Sequence, residues 1–422
     1  MVRWLALLLI PLALAWWPAF DAPYQYDDYT TPLKDPASQS LGAWVQALPH
    51  TLRPLTKLSY ALESSLGVES APARRVLNVA LFAGSGAWLA LIVEGWLGIA
   101  LAALWLVHPV HAELVIALAG RSVSLSLFLI LASVWCLRRE RPRAALALAL
   151  LAVLARETAL AWCFGCALLI ANARAVLLVP PAAALVLASS RMRALLAFSF
   201  GDPDAWNRLG LQWAALPRGT LMLLTQPSAF SVDIEFEPVG IERVLWLVLA
   251  LAMYVGAGWL AVRGSARVRI AAALWLALVL PLHSVVPKLD PLTARSFSAS
   301  FAALLMLVAC TGRLAHYACV VVGAAALALI PLTRQRAALY RDPVALWRDA
   351  AERSRQSTRP WVNLGTLLAQ RGRLDEARVA LEQALVRNPD GTDVRERLNA
   401  VHVLIETRRL LREPQLDETT DR

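Results

Sequence analysis

Two adjacent carboxylates follow the first apolar segment of the chain, in the stretch Tyr26-Asp27-Asp28-Tyr29. A carboxylate at a membrane surface could bind a cation, or it could accept a proton from an attacking hydroxyl. Aromatic neighbours that partly shield such a group from water raise its pKa, which makes it a better general base. An aspartate pair in a loop is also typical of a turn or a helix cap. Asp27 and Asp28 are therefore candidate catalytic residues, with the turn as the alternative.

A second polar group interrupts an apolar hairpin between residues 88 and 137, and contains His108, His111, Glu113 and Arg121. Ionisable groups at membrane depth are costly, so by default they indicate a functional site. The two histidines are three residues apart and would share one face of a helix. Zinc ligation is conceivable, but no further His or Cys has a ligand-like spacing. Contacts to a phosphate and a sugar are favoured instead, with Arg121 as the phosphate clamp.

Two more charged groups stand beside apolar segments. Lys288 and Arg295 precede a late segment, and Arg156-Glu157 separates two short ones. A basic residue at the mouth of a helix could neutralise a phosphate that leaves during a reaction. The alternative for Lys288 and Arg295 is snorkelling at a membrane interface. For Arg156-Glu157, an ion pair within the membrane is the favoured interpretation.

The composition indicates which elements must hold these groups. Of 422 residues, 58% are hydrophobic and only 17% are charged, which is too apolar for a soluble protein. Cys163 and Cys166 lie inside an apolar stretch without a second cysteine pair, which favours helix packing over metal or redox chemistry. Apolar runs, several of them short, recur to about residue 332, and about twenty residues are needed to cross a hydrocarbon core of about 30 Å. We expect eleven segments, at about 4–20, 76–94, 96–107, 122–137, 143–155, 158–171, 174–189, 241–262, 269–286, 297–312 and 314–332.

The charges of the short loops predict the orientation. Eleven crossings place the basic loops 138–143 and 263–269 in the cytoplasm, as the positive-inside tendency requires. Trp16-Trp17-Pro18 stands where a signal-peptide cleavage site would be needed, so an uncleaved first helix with a cytoplasmic N-terminus is expected. All the candidate groups and the tail then lie on the outer face. The Ala-, Leu- and Arg-rich composition indicates a bacterial inner membrane and a periplasmic tail.

The net charge of +10 points to an anionic partner. Basic residues cluster at membrane edges rather than along one helix face, so an anionic lipid or a lipid-linked phosphate fits better than nucleic acid. The predicted outer loops also carry basic residues, among them Arg53. Some of these are expected to hold an anionic substrate; the alternative is an error in the middle of the topology. The sequence has no nucleotide-binding glycine motif, so the energy would come from an activated donor or from none.

The charged segment after about residue 340 has a helical-repeat pattern. Small residues at Gly365 and Ala377 would let two antiparallel helices approach closely, and Pro389 would end the second one. We expect a membrane domain over 1–335, a repeat domain over 340–411 and a disordered tail over 412–422. In the repeat domain, 344–355 and 393–411 would be single helices of neighbouring repeats. The residues that match a tetratricopeptide repeat of about 34 residues are Trp361, Leu364, Gly365, Leu368, Ala377, Leu381, Ala384 and Pro389.

With these residues taken together, the chain resembles the GT-C superfamily of membrane glycosyltransferases, which use polyprenyl-phosphate sugars. Within it, the chain is most similar to O-mannosyltransferase-like proteins that carry transmembrane helices followed by tetratricopeptide repeats. The family usually has Lys-Glu-Thr where this chain has Arg156-Glu157-Thr158, and an acid where it has Ala294. The segments that carry the resemblance are Phe20 with Tyr26-Asp27-Asp28, Arg53-Pro54-Leu55-Thr56 with Leu58-Ser59-Tyr60, Val76-Leu77-Asn78, His108 to Glu113, Gly120-Arg121, Arg156-Glu157-Thr158 and Gln226 to Asp233.

The resemblance implies an all-α fold, with a polytopic bundle of about eleven helices before the repeat domain. It implies an inverting enzyme that transfers a sugar, such as mannose, from a polyprenyl-phosphate donor to an acceptor hydroxyl, with a protein as acceptor or partner of the repeats. Asp27 or, with a slight preference, Asp28 is the implied base. No bound cofactor or metal is expected. The candidate substrate-binding residues are Arg53, His108, His111, Glu113, Arg121, Glu157, Lys288 and Arg295.

A function of a different class is a non-catalytic membrane scaffold. Its repeat domain would dock partner proteins, and the polar hairpin would be purely structural. The number of polar groups expected on one membrane face argues against a mere anchor. A transporter would be expected to have two similar halves, which the sequence does not show.

Overall fold

The computed structural model describes residues 2–170, 176–284, 286–288, 290–311 and 317–412. Within these residues the regular secondary structure is helical, without a strand, which confirms the predicted all-helical class. The chain divides into two compact units. The first comprises Met1–Phe230 and Phe236–Arg341, and the second comprises Ser231–Glu235 and Asp342–Arg422.

The first unit contains helices that we number in chain order. They are α1 (Leu9–Trp16), α2 (Leu41–Ala47), α3 (Pro54–Ser65), α4 (Ala71–Val93), α5 (Gly95–Leu106), α6 (Ala112–Ile116), α7 (Arg121–Arg138), α8 (Pro142–Ala155), α9 (Leu160–Ile170), α10 (Val179–Ala188), α11 (Ser190–Phe200), α12 (Ala205–Thr225), α13 (Gly240–Arg263), α14 (Ala266–Ser284), α15 (Ala294–Thr311) and α16 (Tyr317–Leu339). Short helical turns connect several of them.

Among the described residues, five helices are long and apolar enough to cross a membrane, or up to seven if two bent helix pairs each count as one span. This is consistent with a membrane protein, but it is fewer than the eleven spans expected. One reason is length: α8 has 14 residues and α9 has 11, against the about 20 that a span needs. Parts of the predicted segments 158–171, 174–189, 269–286, 297–312 and 314–332, and all but the first residue of the tail 412–422, lie outside the described residues.

One of the bent pairs has a local cause. After α5 the chain reaches Pro109, and the two helical segments on either side meet at 56°. A proline lacks the backbone N–H that would continue the helix, so the apolar run breaks there. The following hairpin closes tightly at Gly120, where an added Cβ would clash with the carbonyl oxygen of Glu113. Only a glycine therefore fits at this point, and α7 begins directly after it.

The second unit contains four further helices: α17 (Pro343–Arg353), α18 (Arg359–Gln370), α19 (Leu374–Arg387) and α20 (Thr392–Arg412). Its core includes Leu364, Leu368, Leu381 and Ala384. A Cβ on Gly365 would lie 2.7 Å from Cγ of Leu381, so α18 and α19 meet where the spacing of small residues indicates. The assignment as a tetratricopeptide repeat stays a prediction.

A short piece of the long loop belongs to this second unit. Within residues 231–235, Oε2 of Glu235 accepts hydrogen bonds from the backbone N–H of Arg355 at 2.7 Å and of Gln356 at 3.1 Å. The Ser354 hydroxyl also donates to it, at 3.3 Å. No sequence pattern indicates that this loop segment packs with the C-terminal helices.

Candidate functional site

An ion-pair cluster joins three of the predicted residues, Asp27, Glu113 and Arg295. Arg295 is the second residue of α15, and its Nη2 lies 2.6 Å from Oδ2 of Asp27. Its Nε donates to Oε2 of Glu113, in the first turn of α6. The side chains of Asp27 and Arg295 are 43% and 33% exposed. The cluster is therefore accessible to a ligand, and it brings together residues from the beginning, the middle and the late part of the first unit.

The neighbouring Asp28 faces the interior and is fully buried. Its Oδ1 accepts from the backbone N–H of Ala119 at 2.8 Å, and its Oδ2 accepts from that of Gln25 at 2.9 Å. Burial raises the pKa of Asp28, and these hydrogen bonds oppose that increase. Both carboxylate oxygens of Asp28 are therefore used to hold the turn in place. This leaves Asp27 as the accessible carboxylate of the pair. This runs against the slight sequence preference for Asp28.

Arg121 is also fully buried, and each of its three side-chain nitrogens has a partner. Nε donates to Oδ1 of Asn78 at 2.7 Å, and Nη2 donates to the carbonyl oxygen of Arg74 at 2.8 Å. Nη1 pairs with Oε2 of Glu63 at 2.8 Å, and the guanidinium lies 4.3 Å from the ring centroid of Tyr60. Because these contacts are buried, a phosphate could reach the guanidinium only by displacing its partners. The expectation that Arg121 is the phosphate clamp is therefore wrong for this geometry; Arg121 ties α3, α4 and α7 together.

The two histidines are buried in the packing rather than exposed to a ligand. Nε2 of His108 lies 3.0 Å from the carbonyl oxygen of Leu223, and its Nδ1 accepts from the backbone N–H of Val110 at 3.2 Å. The ring of His111 packs 4.5 Å from the ring of Trp105. Both imidazole rings are enclosed by these contacts, which does not fit the prediction that they contact the donor. Across the described ranges, no three His, Cys, Asp or Glu side chains are grouped to hold a metal ion.

Glu157 pairs with Arg53 and not with its neighbour Arg156. Nε of Arg53 donates to Oε2 of Glu157 at 2.8 Å, and Nη2 donates to Oε1 at 2.6 Å. The backbone of Arg156 is extended, with φ −158° and ψ 128°, so adjacent side chains leave it in different directions. Arg156 instead donates from Nη1 to the Ser122 hydroxyl at 2.9 Å. The predicted pair between adjacent residues is therefore wrong, and Arg156 becomes a candidate ligand residue.

A cavity of about 880 Å³, which we call the large cavity, opens beside Arg53 and Arg156. Its size suits a small-molecule ligand, because such pockets measure about 300–1,000 Å³. Most of its wall is apolar and comes from α9, α10, α11 and α14, with side chains such as Phe164 and Leu195. Charged side chains also line it: Arg53, Arg156, Glu157, Arg208, Lys288 and Asp290. The large cavity thus combines an apolar wall with mainly basic charged groups.

Lys288 lies in the segment between α14 and α15, where one contact to α12 and one to α15 hold it. Its backbone N–H donates to Oε1 of Gln212 at 2.7 Å, and its Nζ donates to the Ser296 hydroxyl at 3.2 Å. The pKa of Lys288 is lowered to about 8, chiefly by burial and also by repulsion from Arg156, while Asp290 opposes the decrease. A negative ligand in the large cavity would oppose the effect of burial and favour the charged form.

The ion-pair cluster lies within electrostatic range of the large cavity. Repulsion from Arg295 is the smallest of the influences on the pKa of Arg53 and of Arg156, which line the large cavity. Three of the predicted residues, Arg53, Glu157 and Lys288, line it as well. The sequence did not identify Arg156 as a ligand residue, because its acidic neighbour suggested a partner. The extended backbone that separates the two side chains has no clear sequence signal.

Comparison with known proteins adds no assignment. No family model, no curated protein and no solved structure matches this chain. Its function is therefore inferred from the residues and the geometry described above.

Proposed function

We propose that the protein is a polytopic membrane glycosyltransferase that uses a polyprenyl-phosphate-linked sugar as donor. The observation that supports this most is the large cavity, whose apolar wall carries the cations Arg53, Arg156 and Lys288. A lipid-linked sugar phosphate has the same two parts, an apolar chain and an anionic headgroup. Neither a purely polar metabolite nor a neutral lipid would need both. The sugar is a hexose such as mannose.

The reaction follows from the placement of the charges. Asp27 accepts the proton of the acceptor hydroxyl, whose oxygen forms a bond to the anomeric carbon of the sugar. The bond between that carbon and the phosphate oxygen breaks, so the configuration inverts. Polyprenyl phosphate leaves with the bonding electrons, and Arg156 and Lys288 stabilise its additional negative charge. Arg295 holds the Asp27 carboxylate in position, and Glu113 holds Arg295.

The second unit recruits a protein acceptor or a partner protein. Its paired helices and the close contact between Gly365 and Leu381 support an assignment as tetratricopeptide repeats, which commonly present concave binding surfaces. The site and this unit face the periplasm of a bacterial inner membrane, because the basic loops 138–143 and 263–269 favour the cytoplasmic side.

Donor binding tests the proposal without knowledge of the acceptor. The purified full chain in phosphatidylcholine nanodiscs is titrated with polyprenyl phosphate. The double variant Arg156→Gln with Lys288→Gln lacks two cavity cations. It should bind polyprenyl phosphate at least about tenfold more weakly. The matched control is Arg263→Gln with Arg269→Gln, which removes the same charge from exposed positions and should bind like the wild type. Equal affinity for all three proteins would overturn the donor assignment.

Transfer itself is measured with radiolabelled polyprenyl-phosphate mannose and a membrane extract as the source of acceptors. The label should appear on protein in the presence of the wild-type chain. Donor that binds but is never consumed, for any hexose offered, would contradict the catalytic part of the proposal.

The second candidate is the non-catalytic scaffold. The burial of His108, His111 and Arg121 favours it, because a purely structural hairpin predicts such packing. The partly exposed cluster of Asp27 and Arg295 argues against it, since a scaffold has no use for an accessible ion pair at this position. The scaffold predicts that the isolated second unit captures partners and that Asp27→Ala changes nothing measurable.

A further inference from the structure

A second, smaller cavity lies between the ends of four helices of the first unit. Ile92 at the end of α4, Arg138 at the end of α7, Arg267 at the start of α14 and Cys310 near the end of α15 line it. Its volume is about 110 Å³, about an eighth of that of the large cavity. We call it the arginine cavity. It can take a small polar group, but it cannot take a sugar with its lipid phosphate.

The arginine cavity is far from the candidate catalytic cluster. Arg295 stands at the start of α15 and Cys310 near its end, so a helix rise of about 1.5 Å per residue puts them about 22 Å apart. The helices α4 and α7 also run from the end that holds Arg74 and Arg121 to the end that holds the arginine cavity. The two sites therefore lie at opposite ends of the same helices.

The positive charge of the arginine cavity is poorly neutralised. Nη2 of Arg138 lies 3.9 Å from Oε2 of Glu94, whose other oxygen lies 3.8 Å from Nη2 of Arg139. Both distances are long beside the 2.6 Å of the Arg53–Glu157 pair, and the Glu94 side chain is 44% exposed. Arg267 is close enough to repel Arg138, and within the described part of the chain it forms no ion pair. Two guanidinium groups thus share one carboxylate, and that of Arg267 stands beside them without an ion pair.

The surroundings of these charges are those of a lipid headgroup site. The remaining wall is apolar and includes Ile270 and Met306, and the cavity lies where the apolar parts of α4, α7 and α15 end. Basic pockets between transmembrane helices bind the phosphates of anionic lipids, to which each arginine near the surface contributes about a fivefold gain in affinity.

We infer that the arginine cavity binds a phosphate group, with Arg138 and Arg267 as its ligands, and that an anionic phospholipid supplies this phosphate. The site is separate from the sugar donor and does not depend on the proposed transferase activity. Arg138 and Arg267 come from α7 and α14, so the bound phosphate joins two helices whose charges otherwise repel each other.

The test is a titration of the purified full chain in detergent with phosphatidylglycerol, followed by native mass spectrometry. The double variant Arg138→Gln with Arg267→Gln should bind the lipid about thirtyfold more weakly. The matched control, Arg141→Gln with Arg143→Gln, loses the same charge at exposed positions of the neighbouring loop and should bind normally. The variant Arg138→Lys with Arg267→Lys keeps the charge, so it should retain most of the affinity and shows that loss of binding is not loss of folding.

A parallel titration with inorganic phosphate identifies the source of the anion. Thermal stabilisation by the lipid, but not by millimolar phosphate, supports the phospholipid. Inorganic phosphate could instead stabilise the wild type but not the double variant Arg138→Gln with Arg267→Gln. This result would support the phosphate site and contradict the proposal that a phospholipid supplies the phosphate. Equal lipid binding by the glutamine double variant and its control would overturn the site itself. The lipid would then be attracted by the overall positive charge of the protein and not by Arg138 and Arg267.

Discussion

Two arginines of the first unit stand at the start of a helix and pair with a glutamate, yet their surroundings differ. Arg121 is fully buried, with its partners Glu63 and Asn78 inside the packing. Arg295 is one third exposed and holds the half-exposed Asp27. A buried, fully paired arginine fixes a structure, because any ligand would first have to break existing contacts. An arginine that orients an accessible carboxylate leaves room for chemistry.

The largest effect is expected for the carboxylate on the accessible side. Asp27→Asn keeps the shape of the side chain and removes its basicity, so sugar transfer should fall by about 10²- to 10⁴-fold. Donor binding should change little. Single-turnover transfer from radiolabelled donor measures the loss. Asp21→Asn is the control, since Asp21 is also exposed and lies 3.8 Å from Arg341; if both variants transfer equally well, Asp27 is not the base.

On the buried side, Arg121→Met should destabilise the folded protein by about 3–5 kcal/mol, because Glu63 is left without its pair. The measurement is unfolding by denaturant in detergent, with the catalytic variant Asp27→Asn expected near the wild-type value. A variant that unfolds like the wild type but no longer binds polyprenyl phosphate would show that Arg121 contacts the donor after all. The contrast between the two arginines would then disappear.

Lys288 allows a test by pH. Its pKa is lowered to about 8 by burial, so it is charged below that pH and loses its proton as the pH rises through it. The affinity for polyprenyl phosphate should weaken by up to about tenfold between about pH 7 and pH 9. The phosphate keeps its charge there, because its second pKa is about 6. Lys288→Arg stays charged and should remove the pH dependence; an unchanged profile in this variant would exclude Lys288 as the titrating group.

The smallest effect is expected for His111. Its ring packs among the aromatic side chains of Phe82, Trp105 and Phe301, and neither of its ring nitrogens has a hydrogen-bond partner among the described residues. His111→Phe replaces one flat ring by another, so the free energy of unfolding should change by less than about 1.5 kcal/mol. Transfer should stay within about twofold of the wild type. A loss of sugar transfer without a loss of stability would show that His111 is part of the active site.

The sequence predicted the types of residue at the site better than their roles. Hydrophobic runs and helix-breaking residues are local signals, so the all-helical class and the positions of α18 and α19 could be derived from them. Which of two adjacent side chains faces a ligand depends on one backbone angle. Asp27 and Asp28 divide in this way, because Asp28 is held inward by the backbone N–H of Ala119, which is distant in the sequence. Arg156 and Glu157 both line the large cavity, but they have different partners, Ser122 and Arg53, which are also distant in the sequence.

The number of spans was harder to predict for a related reason. A window of apolar residues looks the same whether it forms one straight helix or two short ones. The bend at Pro109 and the 14-residue length of α8 depend on backbone hydrogen bonding and helix ends, and hydropathy alone carries no such information. The contact of residues 231–235 with the C-terminal helices was beyond prediction, because three backbone and hydroxyl donors of the second unit define the position of Glu235.

That five-residue contact limits how the protein can be rearranged. A fragment that begins at Asp342 would lack Glu235 and leave the backbone amides of Arg355 and Gln356 without their acceptor. A chimaera that exchanges the C-terminal helices between related chains must exchange this piece of the distant loop with them. The two stretches must therefore be kept or exchanged together, although more than a hundred residues of chain separate them.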